Sequence, residues 1–311
     1  MIDLVLLQTF RVLNDQGTVT AAARALNLSP SAVSQQLRQL ARQAGVDLLE
    51  PDGRRLRLTA AGRTLLTHAD TLCAQWERAR AELSRHGARA HRTLRLAGFA
   101  TGVGPLLAPV ARQLRAATPP LHVTVEEADT RDCYRKLLAD RVDIALLTPL
   151  PGSPSSDDAR FHQEPLLDDV LDLVVPAQHA LAAHESVDLS AAAHEDWVAP
   201  HHDQSRLMRA ACALAGFSPR IVHQADAWQA VLDLIGHGLG VCLVPRLVPV
   251  ATVASVPSVA GRPRLVRIPV RGTPPPARRI HTCVRRGSAE QDVIAAGLAA
   301  LRACAGRDVL E

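Results

Sequence analysis

The sequence of 311 residues predicts an α/β protein with an all-α winged helix-turn-helix domain at its N-terminus. A long linker helix is predicted to join this domain to a two-lobed α/β domain of the kind found in periplasmic binding proteins. Three patterns support the prediction: two short amphipathic helices around a tight turn, one helical stripe over residues 59–85, and alternating strands and helices from residue 94 onward.

The predicted helix-turn-helix consists of residues 18–26 and 30–40. Ser29 is a favourable N-cap for the second helix, and Pro30 suits its first position because proline has no N–H to leave unpaired there. Apolar residues recur at spacings of three and four, which predicts one buried face on each helix. These residues are Ala22, Ala23, Leu26, Val33, Leu37 and Leu40. The opposite faces are left for solvent or a ligand.

The outward positions of the second helix carry hydrogen-bonding side chains with little apolar surface. They are Ser31, Ser34, Gln35 and Arg38. Serine and glutamine pair well with base edges in a major groove, and arginine reaches a phosphate or a guanine. The alternative is a helix whose polar face is only hydrated.

Residues 48–50 and 55–58 predict two short strands around an Asp-Gly turn. Arginines cluster on this hairpin, as a wing needs in order to sit on phosphates or probe a minor groove. A basic hairpin alone is often a hydrated turn, but directly after a helix-turn-helix it indicates a wing. The predicted DNA-binding residues are Thr18, Thr20, Ser29, Ser31, Ser34, Gln35, Arg38, Arg54 and Arg55.

These motifs resemble those of the LysR-type transcriptional regulators. The resemblance lies in Phe10, Leu13, residues 17–23 (GTVTAAA), residues 28–37 (LSPSAVSQQL) and residues 53–62 (GRRLRLTAAG). It implies a dimeric or tetrameric regulator that binds double-stranded DNA and responds to a small-molecule effector of unknown identity.

The distribution of charge agrees with a DNA-binding end. Residues 1–92 hold 13 arginines and 8 acidic residues, a balance of +5, whereas residues 93–311 hold 22 basic and 23 acidic residues, a balance of −1. An apolar fraction of 47% is ordinary for a globular protein and excludes a disordered class. No export signal or bilayer-spanning run is recognisable, so a cytoplasmic location is expected.

Six cysteines lie at least 21 residues apart, without metal-type spacing. They are Cys73, Cys133, Cys212, Cys242, Cys283 and Cys304. We expect buried small hydrophobic residues, with a redox-sensing pair as the alternative. No cofactor and no metal site is predicted.

Residues 59–85 predict one helix that begins at a Thr59 N-cap. At ~1.5 Å per residue it would be roughly 40 Å long, too long for the winged domain to cover its apolar stripe. A second copy of the helix, antiparallel in a dimer, would cover it; packing on the chain's own second domain is the alternative. The predicted dimerisation residues are Leu65, Leu72, Trp76 and Leu83, and residues 84–92 are the predicted hinge.

The predicted domains are the winged domain (1–58), the linker helix with its hinge (59–92) and the effector-binding domain (93–311). Lobe I spans about 93–163 and 270–311, and lobe II about 164–269. Strands are predicted at 94–99, 121–127, 144–147, 170–175, 197–199, 220–223, 241–244, 265–270 and 280–284. Helices are predicted at 103–116, 131–139, 206–215, 227–236 and 290–304, and the last two strands are expected to return to lobe I.

Ligands of open α/β sheets bind at the carboxyl ends of strands, near helix N-termini. This rule predicts effector-binding residues in a cleft between the lobes: Ala100, Thr101, Thr130, Thr148, Pro200, His201, His202 and Asp226. The LysR resemblance points to the same loops at residues 100–101 and 200–202. Alternatively, Thr101 and Asp226 only cap helices. The adjacent histidines diverge and lack a third ligand at useful spacing, which disfavours a metal site.

Enzyme motifs are absent. The glycines of residues 236–240 end a helix instead of opening one, and no nucleophile elbow, zinc-protease motif or paired-carboxylate motif occurs. The pairs of aspartates at residues 157–158 and 168–169 indicate solvated loops. The sequence therefore predicts a DNA-binding regulator and not an enzyme, with a small-molecule-binding module whose winged domain mediates protein contacts as the alternative.

Overall fold

A computed structural model describes residues 3–53, 55–84, 93–117, 121–200, 202–250 and 264–306 of the chain. The chain divides into two compact units. Unit 1 combines the residues up to Leu166 with those from Ile280 onward, and unit 2 consists of Leu167–Arg279. The predicted hinge lies outside the described residues from residue 85 onward.

Three helices and a hairpin form the winged domain within unit 1. They are α1 (Leu4–Gln16), α2 (Val19–Leu26), α3 (Pro30–Ala44), β1 (Leu49–Asp52) and β2 (Arg55–Leu58). Asp3, Thr18 and Ser29 cap the three helices, because each side-chain oxygen accepts a hydrogen bond from an N–H that the first turn leaves unpaired. The apolar faces of the helices pack together around Phe10 and Leu13. The predicted helix-turn-helix and hairpin are confirmed.

The linker helix is α4 (Ala60–Ser84). Thr59 caps it, since the Thr59 hydroxyl accepts a hydrogen bond from the Gly62 N–H at 3.0 Å. The predicted start and length of this helix are confirmed.

The rest of unit 1 alternates strands and helices. These are β3 (Thr93–Gly98), α5 (Ala100–Gly102), α6 (Ala108–Ala117), β4 (His122–Glu127), α7 (Thr130–Leu138) and β5 (Ile144–Leu147). Strand β3 pairs in parallel with both β4 and β5. Strand β5 is buried at all four positions, which explains why its residues are all apolar, whereas β4 is mostly exposed.

The prediction of one helix over residues 103–116 is wrong. Val103–Leu107 forms a π-helical turn between α5 and α6, in which the Ala108 N–H donates to the Val103 carbonyl. Pro105 lies in this turn. Because proline lacks an N–H and crowds the carbonyl four residues earlier, the regular α-helical ladder is interrupted there.

Two strands pass between the units. Strand β6 (Phe161–Pro176) leads into unit 2, which contains β7 (Asp196–Ala199), α8 (His202–Leu214), β8 (Arg220–Gln224), α9 (Trp228–Gly236), β9 (Cys242–Pro245) and β10 (Leu265–Ile268). Strand β11 (Ala277–Arg285) returns to unit 1, where α10 (Asp292–Ala305) follows. The predicted α/β class, with a winged domain and two lobes, is confirmed.

The pairing of the strands corrects one prediction. In unit 2, β6 pairs antiparallel with β9 and β10, and β7 pairs in parallel with β8. In unit 1, β11 pairs antiparallel with β5. The segment at residues 265–270 does not return to the first lobe, because β10 pairs with β6 inside unit 2.

The prediction of a solvated loop is wrong for the acidic pair at residues 168–169, whereas at residues 157–158 Asp157 is exposed in a turn. Asp169 lies in β6 with 0% of its side chain exposed and forms a 2.7 Å ion pair with Arg278, which is also buried. Its neighbour Asp168 is exposed and pairs with Arg279 at 3.1 Å. Asp158 likewise pairs with Arg160 at 2.8 Å. Their arginine partners make these carboxylates parts of the folded structure.

Candidate nucleic-acid interface and effector loops

Helix α3 begins at a fixed and exposed point. The Ser29 hydroxyl accepts a hydrogen bond from the Ala32 N–H at 3.1 Å, and Pro30 occupies the first helical position. The hydroxyl oxygens of Ser29 and Ser31 lie 2.8 Å apart, so they share a hydrogen bond. An exposed helix N-terminus of this kind favours an anionic group.

The two faces of α3 differ as the sequence predicts. Val33, Leu37 and Leu40 are buried against the core of the winged domain. Ser31, Gln35 and Arg38 are exposed, and Ser34 is half-buried. The exposed side chains can hydrogen-bond to a base edge or a phosphate and leave little apolar surface uncovered.

The threonines of α2 have different environments. Thr18 is the N-cap of α2, where its hydroxyl accepts a hydrogen bond from the Ala21 N–H at 3.2 Å. Thr20 is exposed in the first turn of the same helix. Thr18 therefore has a structural role already, whereas the Thr20 side chain is available for contact.

The hairpin formed by β1 and β2 has an exposed ion pair between Glu50 and Arg57 at 2.7 Å. Its turn contains Gly53 with a φ of +60°, a conformation that glycine adopts without strain. Arg54 and the side chain of Arg55 lie outside the described residues.

Helix α4 divides its apolar residues between two surroundings. Leu65 is partly buried against the core of the winged domain. Leu72, Trp76 and Leu83 are 45%, 48% and 55% exposed and lie on one face, at spacings of four and seven residues. The exposed face needs a covering that the described part of this chain does not provide.

The predicted effector residues of unit 1 lie at the ends of strands. Thr130 and Thr148 are brought together: the Thr130 hydroxyl donates to the Thr148 carbonyl at 3.2 Å and accepts from the Thr148 N–H at 3.1 Å. Ala100 is exposed at the start of α5. Thr101 does not cap this helix, because Phe99 occupies the N-cap position.

The predicted effector residues of unit 2 are less completely described. Pro200 is buried directly after β7, and Asp226 is exposed before α9. Asp226 does not cap α9, whose N-cap position is Ala227 without a side-chain hydrogen bond. His201 and the side chain of His202 lie outside the described residues.

Sequence analysis missed a contact that holds α4 against the α/β part of unit 1. Glu77 accepts hydrogen bonds from the Arg285 Nε at 2.9 Å and from the Gln291 Nε2 at 2.6 Å, and all three side chains are buried. Gly287 packs so closely on α4 that an added Cβ would lie 2.4 Å from the Ala74 carbonyl oxygen. Partners more than 200 residues apart leave no local signal in the sequence.

Asp143 connects this contact to β3. Its carboxylate accepts hydrogen bonds from the Arg285 Nη2 at 3.3 Å and the Arg95 Nη2 at 2.7 Å. Burial favours the neutral acid, but the hydrogen bonds from Arg95 and the charge of Arg285 outweigh it and hold the pKa of Asp143 below its usual value of 3.8. The carboxylate is therefore a fixed negative charge at neutral pH.

Four of the six cysteines are buried as predicted, whereas Cys73 and Cys304 are half-buried. Burial raises the pKa of the Cys133 and Cys212 thiols to about 12, which disfavours the nucleophilic thiolate. Within the described ranges, no three or more His, Cys, Asp or Glu side chains are grouped to hold a metal ion. No helix in those ranges has the length and apolar content needed to cross a membrane.

Both parts of the chain match described protein families. Residues 4–63 match "Bacterial regulatory helix-turn-helix protein, lysR family", and residues 87–305 match "LysR substrate binding domain". Together the two matches cover the winged domain and the α/β part of both units, and they leave residues 64–86, most of the linker helix, outside.

Named relatives agree with these matches. The chain is 30% identical over 248 residues to the HTH-type transcriptional regulator AlsR of Bacillus subtilis, which covers 77% of this chain and 79% of AlsR. It is 27% identical over 270 residues to a hydrogen peroxide-inducible genes activator of Pectobacterium carotovorum, covering 86% and 85%.

Solved structures share the fold. A full-length OxyR variant from Pseudomonas aeruginosa aligns with a TM-score of 0.67 at 20% identity and covers 100% of this chain and 97% of OxyR. Full-length BenM aligns with a TM-score of 0.58 at 22% identity, covering 97% and 96%.

Proposed function

This chain belongs to the LysR family of bacterial helix-turn-helix regulators, and from this membership we propose how its residues act. It is a transcriptional regulator with a DNA-binding domain and an effector-binding domain. We propose that α3 enters a major groove of DNA, that α4 pairs two copies of the chain, and that a small effector alters the DNA contact.

The observation that supports groove binding is the contrast between the two faces of α3. Its apolar side chains are buried, while Ser31, Gln35 and Arg38 are exposed beyond a capped N-terminus. We propose that Ser31, Ser34 and Gln35 select the base sequence, since their amide and hydroxyl groups match base edges. Arg38 and the wing arginines Arg54 and Arg55 contact phosphates, and Thr18, Thr20 and Ser29 lie around the groove.

The groove assignment is tested by replacing Gln35 with alanine. Loss of a base-edge contact should reduce discrimination between a duplex selected from a random library and a scrambled duplex by about 1–3 kcal/mol. Fluorescence anisotropy with both duplexes measures this difference. Gln43→Ala is the matched control, because Gln43 is exposed on the same helix two turns further along. Equal discrimination by the wild type and the Gln35 variant would reject base readout by this residue.

We propose that the exposed face of α4 forms the dimer contact. Leu72, Trp76 and Leu83 present apolar side chains to solvent along one face, and burying such surface stabilises association. Leu65, already packed in the winged domain, contributes only at its exposed edge. A two-fold pair of winged domains then addresses two half-sites, on the order of 34 Å apart along the DNA.

The effector acts, in this proposal, on the loops that carry Ala100, Thr101, Thr130, Thr148, Pro200, His201, His202 and Asp226. Strand β11 offers a physical route from these loops to the DNA-binding half. It leaves unit 2 and ends at Arg285, whose guanidinium holds Glu77 of α4. An effector that favours one position of β11 would therefore shift α4, with a typical coupling of ~1–3 kcal/mol.

We further propose that the winged domain ends at residue 58, that the linker and hinge end at residue 92, and that two lobes follow. The end of β2 at Leu58 supports the first boundary, and α4 ends at Ser84, where the proposed hinge begins; the family matches end at residue 63 and begin again at residue 87, within about six residues of these boundaries. The chain is proposed to catalyse no reaction, since its relatives are regulators, and to act in the cytoplasm, where bacterial DNA lies.

A further inference from the structure

Unit 1 contains a cavity of about 400 Å³ where the winged domain, α4 and the α/β part meet. This volume is in the range of small-molecule sites. None of the predicted DNA-binding or effector residues lines it. The cavity is therefore separate from the DNA-binding and effector sites proposed above, and it shares Trp76 with the proposed dimer contact.

Part of the cavity lining is apolar and in contact with solvent. Val5 of α1 is 57% exposed, Leu28 of the turn before α3 is 38% exposed, and Trp76 of α4 also lines the cavity. The Val5 and Leu28 side chains supply exposed apolar surface that an apolar ligand body would cover, whereas Trp76 belongs to the proposed dimer contact.

Another part of the lining holds two arginines that one residue fixes in place. The Asp158 carboxylate accepts hydrogen bonds from the Arg160 Nε and Nη2 at 2.9 and 2.8 Å. The Asp158 main-chain carbonyl accepts from the Arg286 Nε and Nη2 at 3.2 and 2.8 Å. In addition, the Arg286 N–H donates to the Arg160 carbonyl at 2.9 Å. Both guanidinium groups are thus anchored on Asp158 before any ligand arrives.

Both guanidinium groups keep donor capacity for an anion. None of the contacts above uses the Arg286 Nη1, and the Arg160 Nη1 lies 3.9 Å from the nearest Asp15 carboxylate oxygen, beyond hydrogen-bond distance. Guanidinium groups bind carboxylates well because their N–H groups form charge-assisted hydrogen bonds.

The charge of the lining favours an anion as well. Five arginines line the cavity, against the three carboxylates of Asp70, Glu77 and Asp140. Arg11 pairs with Asp70 at 2.6 Å and Arg285 pairs with Glu77 at 2.9 Å, so those carboxylates are already committed. Arg160 is paired with the Asp158 carboxylate, whereas Arg286 contacts the Asp158 main-chain carbonyl, which carries no charge to offset its own.

We propose that this cavity binds a small organic anion with an apolar body, such as an aryl carboxylate, as a second ligand site of the regulator. Its carboxylate would lie at Arg160 and Arg286, and its apolar body against Val5 and Leu28. Since these groups come from the winged domain and from the α/β part, the ligand stabilises the packing of the one on the other. Leu28 directly precedes Ser29, so the occupied site lies next to the start of α3.

Equilibrium dialysis of the full chain against 2-naphthoate, followed by its ultraviolet absorbance, tests the proposal. The neutral 2-naphthamide is the matched ligand. We expect saturable binding of naphthoate and at least tenfold weaker binding of the amide, because the amide lacks the charge that the arginines pair with.

Two variants locate the site. Arg286→Gln keeps a donor for the Asp158 carbonyl but removes the cation, and Val5→Asp places a negative charge on the exposed apolar wall. Each should weaken naphthoate binding about tenfold or more. Val222→Asp is the control, because Val222 is a similarly exposed valine, 50% accessible, on β8 of unit 2.

Thermal melting checks that each variant folds. Of the two substitutions, Val5→Asp disturbs folding less, because Val5 is exposed. Equal binding of naphthoate by the wild type, Arg286→Gln and Val5→Asp would overturn the site. Absence of binding to the wild type would also overturn the proposal, and equal affinity for the amide would overturn the anionic class. All of these measurements are made without DNA, so they are independent of the groove assignment.

Discussion

Asp143 is a buried carboxylate shared by two arginines, Arg95 from β3 and Arg285 from β11. Removing one partner of a buried ion pair is costly because the remaining charge stays buried without compensation. Asp188 provides a comparison at the surface, where it pairs with Arg271 at 3.2 Å and both side chains are exposed. Exposed pairs of this kind contribute ~0–1 kcal/mol.

Asp143→Asn should lower stability by about 3–5 kcal/mol at pH 7. The folded-state pKa of Asp143 is below its unfolded value, so the carboxylate contributes stability that is present above pH 3.8 and lost as the pH falls through the folded-state pKa. Thermal melting of both proteins between pH 7 and pH 3 checks this. The difference between them should narrow below pH 3.8.

Asp188→Asn serves as the control and should remain within about 1 kcal/mol of the wild type at every pH. A melting difference between the wild type and Asp143→Asn that stays constant down to pH 3 would contradict the assigned ion pairs.

Residue-scale features differ in how far the sequence predicts them. The caps at Ser29 and Thr59 follow from local rules, because their partners lie three residues away. The burial of Asp169 does not, because Arg278 lies 109 residues further along the chain. Asp158 combines both cases, because its partner Arg160 lies two residues away and its partner Arg286 lies 128 residues away.

At the scale of elements, α4 has one side packed on the chain and another exposed. Ala74, Glu77 and Ala81 are buried, whereas Leu72, Trp76 and Leu83 are exposed. The sequence predicts the length and cap of this helix. The sequence does not predict which face of the helix packs on the chain and which is exposed. That division becomes clear only once the partners of Glu77 are known.

Gly287→Ala tests the packing of α4. Gly287 has a φ of +91°, and its added Cβ would lie 2.4 Å from a backbone oxygen of α4, so the helix or the turn must move. Gly152→Ala is the matched control, since Gly152 has a φ of +89° and open space around it. Both lose roughly 1–2 kcal/mol to backbone strain. The Gly287 variant should lose clearly more in a chemical unfolding titration, and equal losses would show that α4 does not pack there.

Leu72→Glu tests the exposed face of α4. A charge placed in an apolar contact between two copies is buried without a partner, so the dimer should dissociate at concentrations where the wild type remains associated. Sedimentation velocity measures this directly. Leu214→Glu is the control, because Leu214 is 92% exposed at the end of α8. If Leu72→Glu sediments like the wild type, the dimer contact lies elsewhere.

Elements governed by local periodicity are predicted well. The order of strands and helices from β3 to α10 follows from alternation of the two periodicities. Prediction fails where a distant partner decides the outcome. The length of β6, residues 161–176, is not predicted because β9, β10 and β11 pair along it. The lobe to which β10 belongs is not predicted because β10 pairs with β6. The break in the α-helix at Pro105 could be predicted from the sequence, because proline interrupts the helical hydrogen bonds.

At the scale of the whole molecule, the excess of basic over acidic residues lies in the first 92 residues. Binding to DNA releases counterions from the phosphates that the protein neutralises, so affinity should fall steeply with salt. The sequence predicts this behaviour from charge and motif alone. The ligand site at the junction of the winged domain, α4 and the α/β part is not predictable in this way, because residues from position 4 to position 286 line it.

The most direct measurement is a fluorescence-anisotropy titration of the full chain with duplex DNA from the gene's own upstream region at several salt concentrations. We predict a linear decrease of log affinity with log salt. Arg38→Ala should weaken binding to all duplexes alike and reduce the slope by about 1, whereas Arg279→Ala, which changes an exposed arginine of unit 2, should leave both unchanged. Failure to bind any duplex at low salt, or an Arg38 variant identical to the wild type, would contradict binding of DNA through α3.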